Sequence, residues 1–212
     1  MNKAGAVLFD VDGVLLDSAE ANVVFYQELF QQAGLPVPTE TELAAQNQLS
    51  VPDMIRKIHP ELSAELLAKM VSLGDTITVG YGHLHLAPGT IEVVTKLAEH
   101  YQLGVVTNRS RIGVEELWRF SGLGQYFSAV AAYEDTPNHK PDPEPVRYVL
   151  DKLGVRPDQA VFIGDALTDL TAAQAAGTKF IMYGITPAPA GTPVATRFDE
   201  LPDLILGLLP PR

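Results

Sequence analysis

Two acidic side chains, Asp10 and Asp12, stand at the end of an apolar run and are the first candidates for chemistry in this chain. The run Ala6–Phe9 has the composition of a buried β-strand. Carboxylates on alternate positions of a strand end repel each other and lose hydration, which costs free energy. Such a pair most often holds a metal ion or works as an acid–base couple.

Polar residues also follow three later strands of the predicted fold. A hydroxyl with backbone N–H groups at a strand end suits an anion such as a phosphate, and clustered carboxylates suit a cation. Each segment alone also has an ordinary explanation as a turn, a helix cap or a solvated loop lysine. The candidates are Thr107 and Asn108, Lys140, and Asp165 with Asp169.

These candidates belong together if the strands are parallel, because parallel strands bring their carboxyl ends to one edge of a sheet. Four carboxylates cannot stay ionised side by side when Lys140 brings only one positive charge. The imbalance predicts a bound divalent cation, and oxygen ligands favour Mg²⁺ over Zn²⁺.

The elements that must position these residues alternate between helix and strand over the second part of the chain. Their hydrophobic periodicities predict a doubly wound parallel sheet of the α/β class, which the first strand joins. We expect strands at 102–107, 127–131, 160–164 and 179–183, and helices at 90–100, 113–121, 144–153, 169–176 and 201–208.

The segment 17–86 has helical periodicity throughout and predicts a small helical bundle inserted after the first strand. We therefore expect a catalytic core of residues 1–16 and 87–212 and a cap domain of residues 17–86. A cap inserted there belongs above the first strand's acids, where a lid acts. Candidates for substrate selection in this cap are Gln46, Asn47, Gln48, Arg56, Lys57, His59, His83 and His85.

Composition limits the possible partners and the location. The chain has 212 residues, a formal net charge of −11 and no cysteine, and no basic stripe is visible, so nucleic acid is not an expected partner. The first apolar run is too short for a signal peptide, and no run approaches the roughly 18 to 20 apolar residues of a membrane span. We expect a cytoplasmic protein with no membrane partner.

Four segments in this order resemble the haloacid dehalogenase-like (HAD) superfamily, and the resemblance covers almost the whole chain. Asp10–Gly13 matches its Asp-x-Asp-Gly motif, and Thr107 matches the Thr or Ser that closes a strand in its second motif. Lys140 in Lys-Pro-Asp-Pro matches the third motif, and Gly164–Asp169 matches the fourth. Phosphoglycolate phosphatases and β-phosphoglucomutases of this superfamily look similar, with a helical cap between motifs one and two.

The resemblance implies a role for each matched residue. Asp10 is the nucleophile that forms an aspartyl-phosphate, and Asp12 is the general acid that later acts as a base. Mg²⁺ is held by Asp10, the Asp12 backbone carbonyl and Asp165, with Asp169 as a further ligand or a support. The phosphoryl group is bound by Thr107, the Asn108 N–H and Lys140.

Three functions follow from this resemblance as alternatives. The first is a Mg²⁺-dependent phosphatase for a small phosphorylated metabolite, phosphoglycolate-like or sugar-phosphate-like. The second is a phosphomutase of the β-phosphoglucomutase type, although the cap of such mutases carries a Ser-Arg pair and no Arg stands beside Ser50 here. The third is a non-catalytic scaffold. Buried acids lower the stability of a fold, so their presence without a catalytic use disfavours this alternative. A dehalogenase attacks carbon and needs no acid at Asp12, so a phosphate ester is favoured.

Overall fold

A computed structural model describes residues 3, 5–44, 49–184 and 187–210. The chain divides into two compact units, Met1–Leu16 with Leu86–Arg212, here called the sheet unit, and Asp17–His85, here called the helical unit. The strands are β1 (Ala6–Phe9), β2 (Leu16–Asp17), β3 (His85–Leu86), β4 (Gln102–Val106), β5 (Phe127–Ala131), β6 (Ala160–Gly164), β7 (Lys179–Tyr183) and β8 (Val194–Ala195). The helices are α1 (Ala19–Gln32), α2 (Glu40–Ala44), α3 (Val51–Ile58), α4 (Ala64–Gly74), α5 (Thr90–His100), α6 (Arg111–Ser121), α7 (Glu144–Leu153), α8 (Leu167–Ala176) and α9 (Leu201–Leu208).

The sheet unit is built on a parallel sheet with strand order β5-β4-β1-β6-β7-β8, and the short strands β2 and β3 pair with each other. In the parallel sheet β1 lies between β4 and β6, and its last residue, Phe9, is in register with Val105 and Ile163. The Asp10 amide continues this pairing by donating to the Ile163 carbonyl at 2.9 Å. The carboxyl ends of the three strands therefore meet at one edge, and the predicted doubly wound α/β class is confirmed.

The two faces of the sheet are packed by alternate residues of the buried strands, as the period-2 geometry of a strand requires. On one face, Leu8 and Phe162 join a core with Val149 of α7 and with side chains of α8. On the other face, Phe9 packs edge-on against Phe127 and stacks on Phe198. Both faces are covered, which explains why β1 is apolar at every position.

The helical unit has its own apolar core, formed among others by Leu29, Phe30, Met54, Ile55 and Met70. Serine hydroxyls accept backbone N–H groups at the starts of α3 and α4, which satisfies donors that have no partner within the helix. That this unit serves as a cap stays a prediction. The described residues contain no helix that is long and apolar enough to cross a membrane.

Predicted element boundaries differ from the observed ones mainly where side chains bind the backbone. β4 ends at Val106, one residue before the expected end. α6 begins at Arg111 instead of residue 113, because the Ser110 hydroxyl accepts the Gly113 N–H and starts the helix earlier. α8 begins at Leu167 instead of residue 169, because the carboxylate of Asp169 in the first turn accepts the N–H of Ala166, the residue before the helix.

Candidate active site

Lys140 is the centre of a buried ion-pair network at the carboxyl edge of the sheet. Its ammonium lies 2.9 Å from Asp10 Oδ1 and 2.7 Å from Asp169 Oδ1. The side chains of Lys140 and Asp169 are only 3% and 1% exposed, and that of Asp10 is 10% exposed. Burial of this degree excludes water, so the attraction between these charges is stronger than at a surface.

Asn108 holds the backbone of Lys140 from two sides. Its side-chain Nδ2 donates to the Lys140 carbonyl at 3.3 Å, and its Oδ1 accepts the Lys140 N–H at 3.2 Å. The two residues lie 32 positions apart, so this reciprocal pair ties the end of β4 to the loop before α7. The side chain of Asn108 is therefore engaged with the protein, and only its backbone N–H remains a candidate for contact with a phosphate.

The donor set at this edge fits a divalent cation. Asp10, Asp165 and Asp169 each offer a carboxylate oxygen, and these oxygens lie within 4.8 Å of one another. Asp169 already contacts Lys140 through Oδ1 and accepts the Ala166 N–H through Oδ2 at 3.1 Å. Asp10 and Asp165 are therefore the better ligands, and Asp169 orients the lysine beside them. Carboxylate oxygens of this kind suit Mg²⁺.

Gly13 makes room for Asp165 beside the first strand. A Cβ atom at this glycine would lie 2.2 Å from Asp165 Oδ2, closer than any real contact, and the residue has a φ of +78°. A glycine is required here both for the left-handed backbone and for the close approach of the carboxylate. This requirement explains the glycine that follows the two acids in the sequence.

The acids of the cluster are poorly neutralised without a metal ion. Burial raises the pKa of Asp10 well above its usual value, and the nearby acids add to this rise against the lowering effect of Lys140. Burial also raises the pKa of Asp165 to about 6, with a further contribution from Asp169. Burial lowers the pKa of Lys140, but the charges of Asp10 and Asp169 outweigh it and raise the pKa above its usual value. Lys140 therefore stays charged.

Arg109 is a second cation at this edge that the sequence reasoning did not single out. Its Nη1 lies 3.1 Å from Asp12 Oδ1, and the two side chains are 17% and 25% exposed. Its Nε is buried and has no hydrogen-bond partner among the described residues. The adjacent Thr107 is 3% exposed, and its hydroxyl accepts the Arg109 N–H at 3.1 Å. The only sequence signal was the position of Arg109, directly after the predicted phosphate-binding residues.

The predicted site residues thus meet at one edge of the sheet unit: Asp10, Asp12, Thr107, Asn108, Lys140, Asp165 and Asp169. Lys140 and Arg109 together balance two of the four carboxylate charges. When all four carboxyl groups are ionised, two negative charges remain, and a divalent ion would balance them.

The candidates for substrate selection have ordinary surroundings within the helical unit. Arg56 and Lys57 are exposed on α3. His59 contacts Glu61 at 3.0 Å, and His83 contacts Glu20 at 2.7 Å. His85 lies in β3. The remaining three, Gln46, Asn47 and Gln48, lie outside the described residues.

Comparison with known proteins agrees with this fold. The family model described as haloacid dehalogenase-like hydrolase matches residues 7–183. A phosphoglycolate phosphatase of Cupriavidus necator is 30% identical, with 96% of this chain and 90% of the relative aligned. The pyrophosphatase PpaX of Bacillus velezensis is 30% identical over 82% of this chain and 80% of its own length.

A solved structure supports the same assignment. The crystal structure of a HAD-superfamily hydrolase of subfamily IA from Geobacter sulfurreducens superposes with a TM-score of 0.73 at 31% identity. The match covers 96% of this chain and 98% of the other. Because the family model spans most of the chain and includes every predicted site residue, this protein belongs to the haloacid dehalogenase-like hydrolases.

Proposed function

We propose that this protein is a Mg²⁺-dependent phosphatase that hydrolyses a small phosphate monoester through an aspartyl-phosphate on Asp10. The observation that carries the proposal is the buried Asp10 carboxylate, paired with Lys140 at 2.9 Å and close to two further acids. A carboxylate held in this way is oriented for attack on phosphorus, and positioning supplies much of the catalysis of phosphoryl transfer.

The reaction proceeds in two steps on this chain. An Asp10 oxygen attacks phosphorus, the bond from phosphorus to the ester oxygen breaks, and Asp12 donates its proton to that leaving oxygen. Asp12 then takes a proton from a water molecule, whose oxygen attacks phosphorus and releases inorganic phosphate and free Asp10. Asp12 ends each cycle protonated again, so atoms and charges balance.

The other site residues bind the phosphoryl group and the metal. Thr107, the Asn108 N–H and Lys140 contact phosphoryl oxygens, and Lys140 also offsets the charge of Asp10. Asp10, Asp165 and the Asp12 backbone carbonyl hold Mg²⁺, and Asp169 supports them. When bound, Mg²⁺ lowers the repulsion between the anionic nucleophile and the anionic phosphate.

The substrate in this proposal is a small phosphorylated metabolite, phosphoglycolate-like or sugar-phosphate-like. The phosphoglycolate phosphatase among the relatives supports this class. The helical unit acts as a cap that selects among such substrates, and the candidates among its described residues are Arg56, Lys57, His59, His83 and His85. A cytoplasmic location stays a prediction from the sequence.

Hydrolysis of nitrophenyl phosphate tests the proposal. We expect turnover with Mg²⁺, loss of turnover in EDTA, and a fall of about 10³-fold or more in Asp10→Asn, because the nucleophile is lost. Asp151→Asn alters an exposed aspartate of α7 in the same unit and is expected to keep full activity. Absence of metal-dependent turnover in the unaltered protein would favour the non-catalytic scaffold.

An assay with a sugar phosphate as substrate separates a phosphatase from a mutase. Ser50 caps α3, because its hydroxyl accepts the Asp53 N–H at 3.4 Å and donates to the Asp53 carboxylate at 2.6 Å. This engagement disfavours Ser50 as part of a mutase subsite. Formation of a sugar-phosphate isomer that depends on a bisphosphate primer, instead of release of inorganic phosphate, would establish the mutase.

A further inference from the structure

Arg109 and Asp12 form an ion pair that joins the ends of β4 and β1. The Nη1–Oδ1 distance is 3.1 Å, and the two residues lie 97 positions apart in the chain. Both side chains are partly buried, so water screens the pair less than it screens a fully exposed ion pair. The contact restricts the rotation of the Asp12 carboxylate. An aspartate at a strand end without such a partner would rotate more freely.

The Arg109 side chain packs against Gly113 in the first turn of α6. A Cβ atom at Gly113 would lie 2.9 Å from Arg109 Nε, 3.0 Å from Cγ and 3.1 Å from Cδ. Glycine within a helix is less favourable than alanine, because it loses more backbone freedom on folding. Gly113 has no positive φ that would require glycine. The space for Arg109 is therefore the physical reason for a glycine at this position.

We infer that Arg109 is a positioning residue that aims the Asp12 carboxylate, and that Gly113 is retained to let Arg109 reach it. This inference rests on the proposed function, in which Asp12 protonates the leaving oxygen. Proton donation needs the acid within hydrogen-bond reach of that oxygen, and a misplaced carboxylate loses this contribution while the nucleophile remains intact. The Nε of Arg109 is buried and has no hydrogen-bond partner within the part of the chain that the structure describes, which is a cost that the fold accepts at the same place.

The dependence of the rate on the leaving group tests this inference. Dinitrophenyl phosphate releases a stable phenolate that needs little help from an acid, whereas phenyl phosphate needs a proton as the bond breaks. We expect Arg109→Met and Gly113→Ala to lower kcat/KM for phenyl phosphate by about 10- to 100-fold. The same variants are expected to lower kcat/KM for dinitrophenyl phosphate by less than about threefold, because the Asp10 nucleophile is untouched.

Two further variants calibrate the result. Asp12→Asn removes the acid itself and is expected to show the same selective loss, at least as large. Gly207→Ala adds a methyl group to α9 in open space and is expected to leave both substrates unaffected. Gly113→Ala is expected to keep the thermal midpoint of the unaltered protein, because the higher helix propensity of alanine offsets the displacement of the Arg109 side chain, whose atoms lie nearest to the added methyl group.

The outcomes are distinct. Equal losses on both substrates, or no loss on either, would overturn the positioning role of Arg109. Failure of the unaltered protein to hydrolyse any of these esters with Mg²⁺ would overturn the proposed function, and this inference with it.

Discussion

At the scale of single residues, Lys140 lies between two carboxylates that repel each other without it. Its ammonium contacts Asp10 and Asp169 at 2.9 and 2.7 Å in a region that is almost closed to water. Removing one partner of a buried pair leaves the other charges uncompensated, which costs more than the pair contributes when intact.

Lys140→Met is expected to lower the free energy of unfolding of the metal-free protein by about 3 kcal/mol, because two buried carboxylates lose their cation. Urea denaturation in EDTA measures this change. The control is Lys96→Met, which removes an exposed lysine paired with Glu92, and its effect is expected to stay below about 0.5 kcal/mol. Equal effects of the two substitutions would show that the buried ion pairs of Lys140 do not stabilise the fold more than an exposed ion pair does.

Asp165 makes the response to Mg²⁺ depend on pH. Its pKa in the fold is about 6, whereas an aspartate in an unfolded chain has a pKa of about 4. Between these values the folded state binds more protons, so this group lowers the stability of the metal-free protein as pH rises through that window. Mg²⁺ binds the ionised form, so its affinity is expected to fall about tenfold per pH unit below about 6.

Thermal unfolding with and without Mg²⁺ across this pH range measures that prediction. We expect the Mg²⁺-induced rise of Tm to be large near neutral pH and to shrink as pH falls below about 6. Asp165→Asn should reduce the rise at every pH. A rise that is the same at all pH values would show that ionisation of Asp165 is not linked to metal binding.

At the scale of elements, the contact between β4 and α7 sets how closely the helix covers the sheet. A Cβ atom at Gly104 would lie 2.5 Å from Val149 Cγ1 and 2.9 Å from Leu8 Cδ2. The glycine allows this close packing beside the strand end that carries Thr107. A larger residue would push the helix or its side chains outward.

Gly104→Ala is therefore expected to destabilise the protein by about 1–3 kcal/mol through overpacking. Chemical denaturation followed by circular dichroism measures the change. Gly207→Ala, where the added methyl meets open space, is expected to be neutral or slightly stabilising. The explanation fails if Gly104→Ala is as stable as the unaltered protein.

At the scale of the whole molecule, each unit has an apolar core of its own. Phe30 belongs to the core of the helical unit and Phe162 to that of the sheet unit, and both are fully buried. Two separate cores predict that local stability can be changed in one unit at a time.

Phe30→Leu is expected to cost about 1–2 kcal/mol and to lower amide hydrogen-exchange protection in α1 and α4. Protection of β1 and β6 is expected to remain, because their core is not altered. Phe162→Leu is the matched substitution. It should lower hydrogen-exchange protection in β1 and β6 and leave protection in α1 and α4 unchanged. Loss of protection throughout the chain in both variants would mean that the units unfold as one.

Several features could be predicted from the sequence because they depend on local patterns. The apolar composition of β1, the alternation of helices and strands, and the polar residues after strand ends predicted the sheet class. Parallel strands then place Asp10, Thr107 and Asp165 at one edge of the sheet, where the structure has them. The resemblance of four ordered motifs to the haloacid dehalogenase-like family is confirmed by the comparisons.

Contacts between distant side chains could not be predicted from local patterns, because they depend on how the folded backbone places the two residues. Arg109 reaches Asp12 across 97 positions, and the Asn108 amide holds Lys140 across 32. The direction of a side chain depends on its rotamer and on the space that its neighbours leave, such as the space beside Gly113. The hydrophobic periodicity of a sequence indicates neither the rotamer nor this space. Local patterns were therefore enough to predict that the candidate residues lie at one edge of the sheet, but not that Arg109 joins them there. Packing decided which atoms pair there, because ion pairs form only where folded backbones bring opposite charges within a few ångströms.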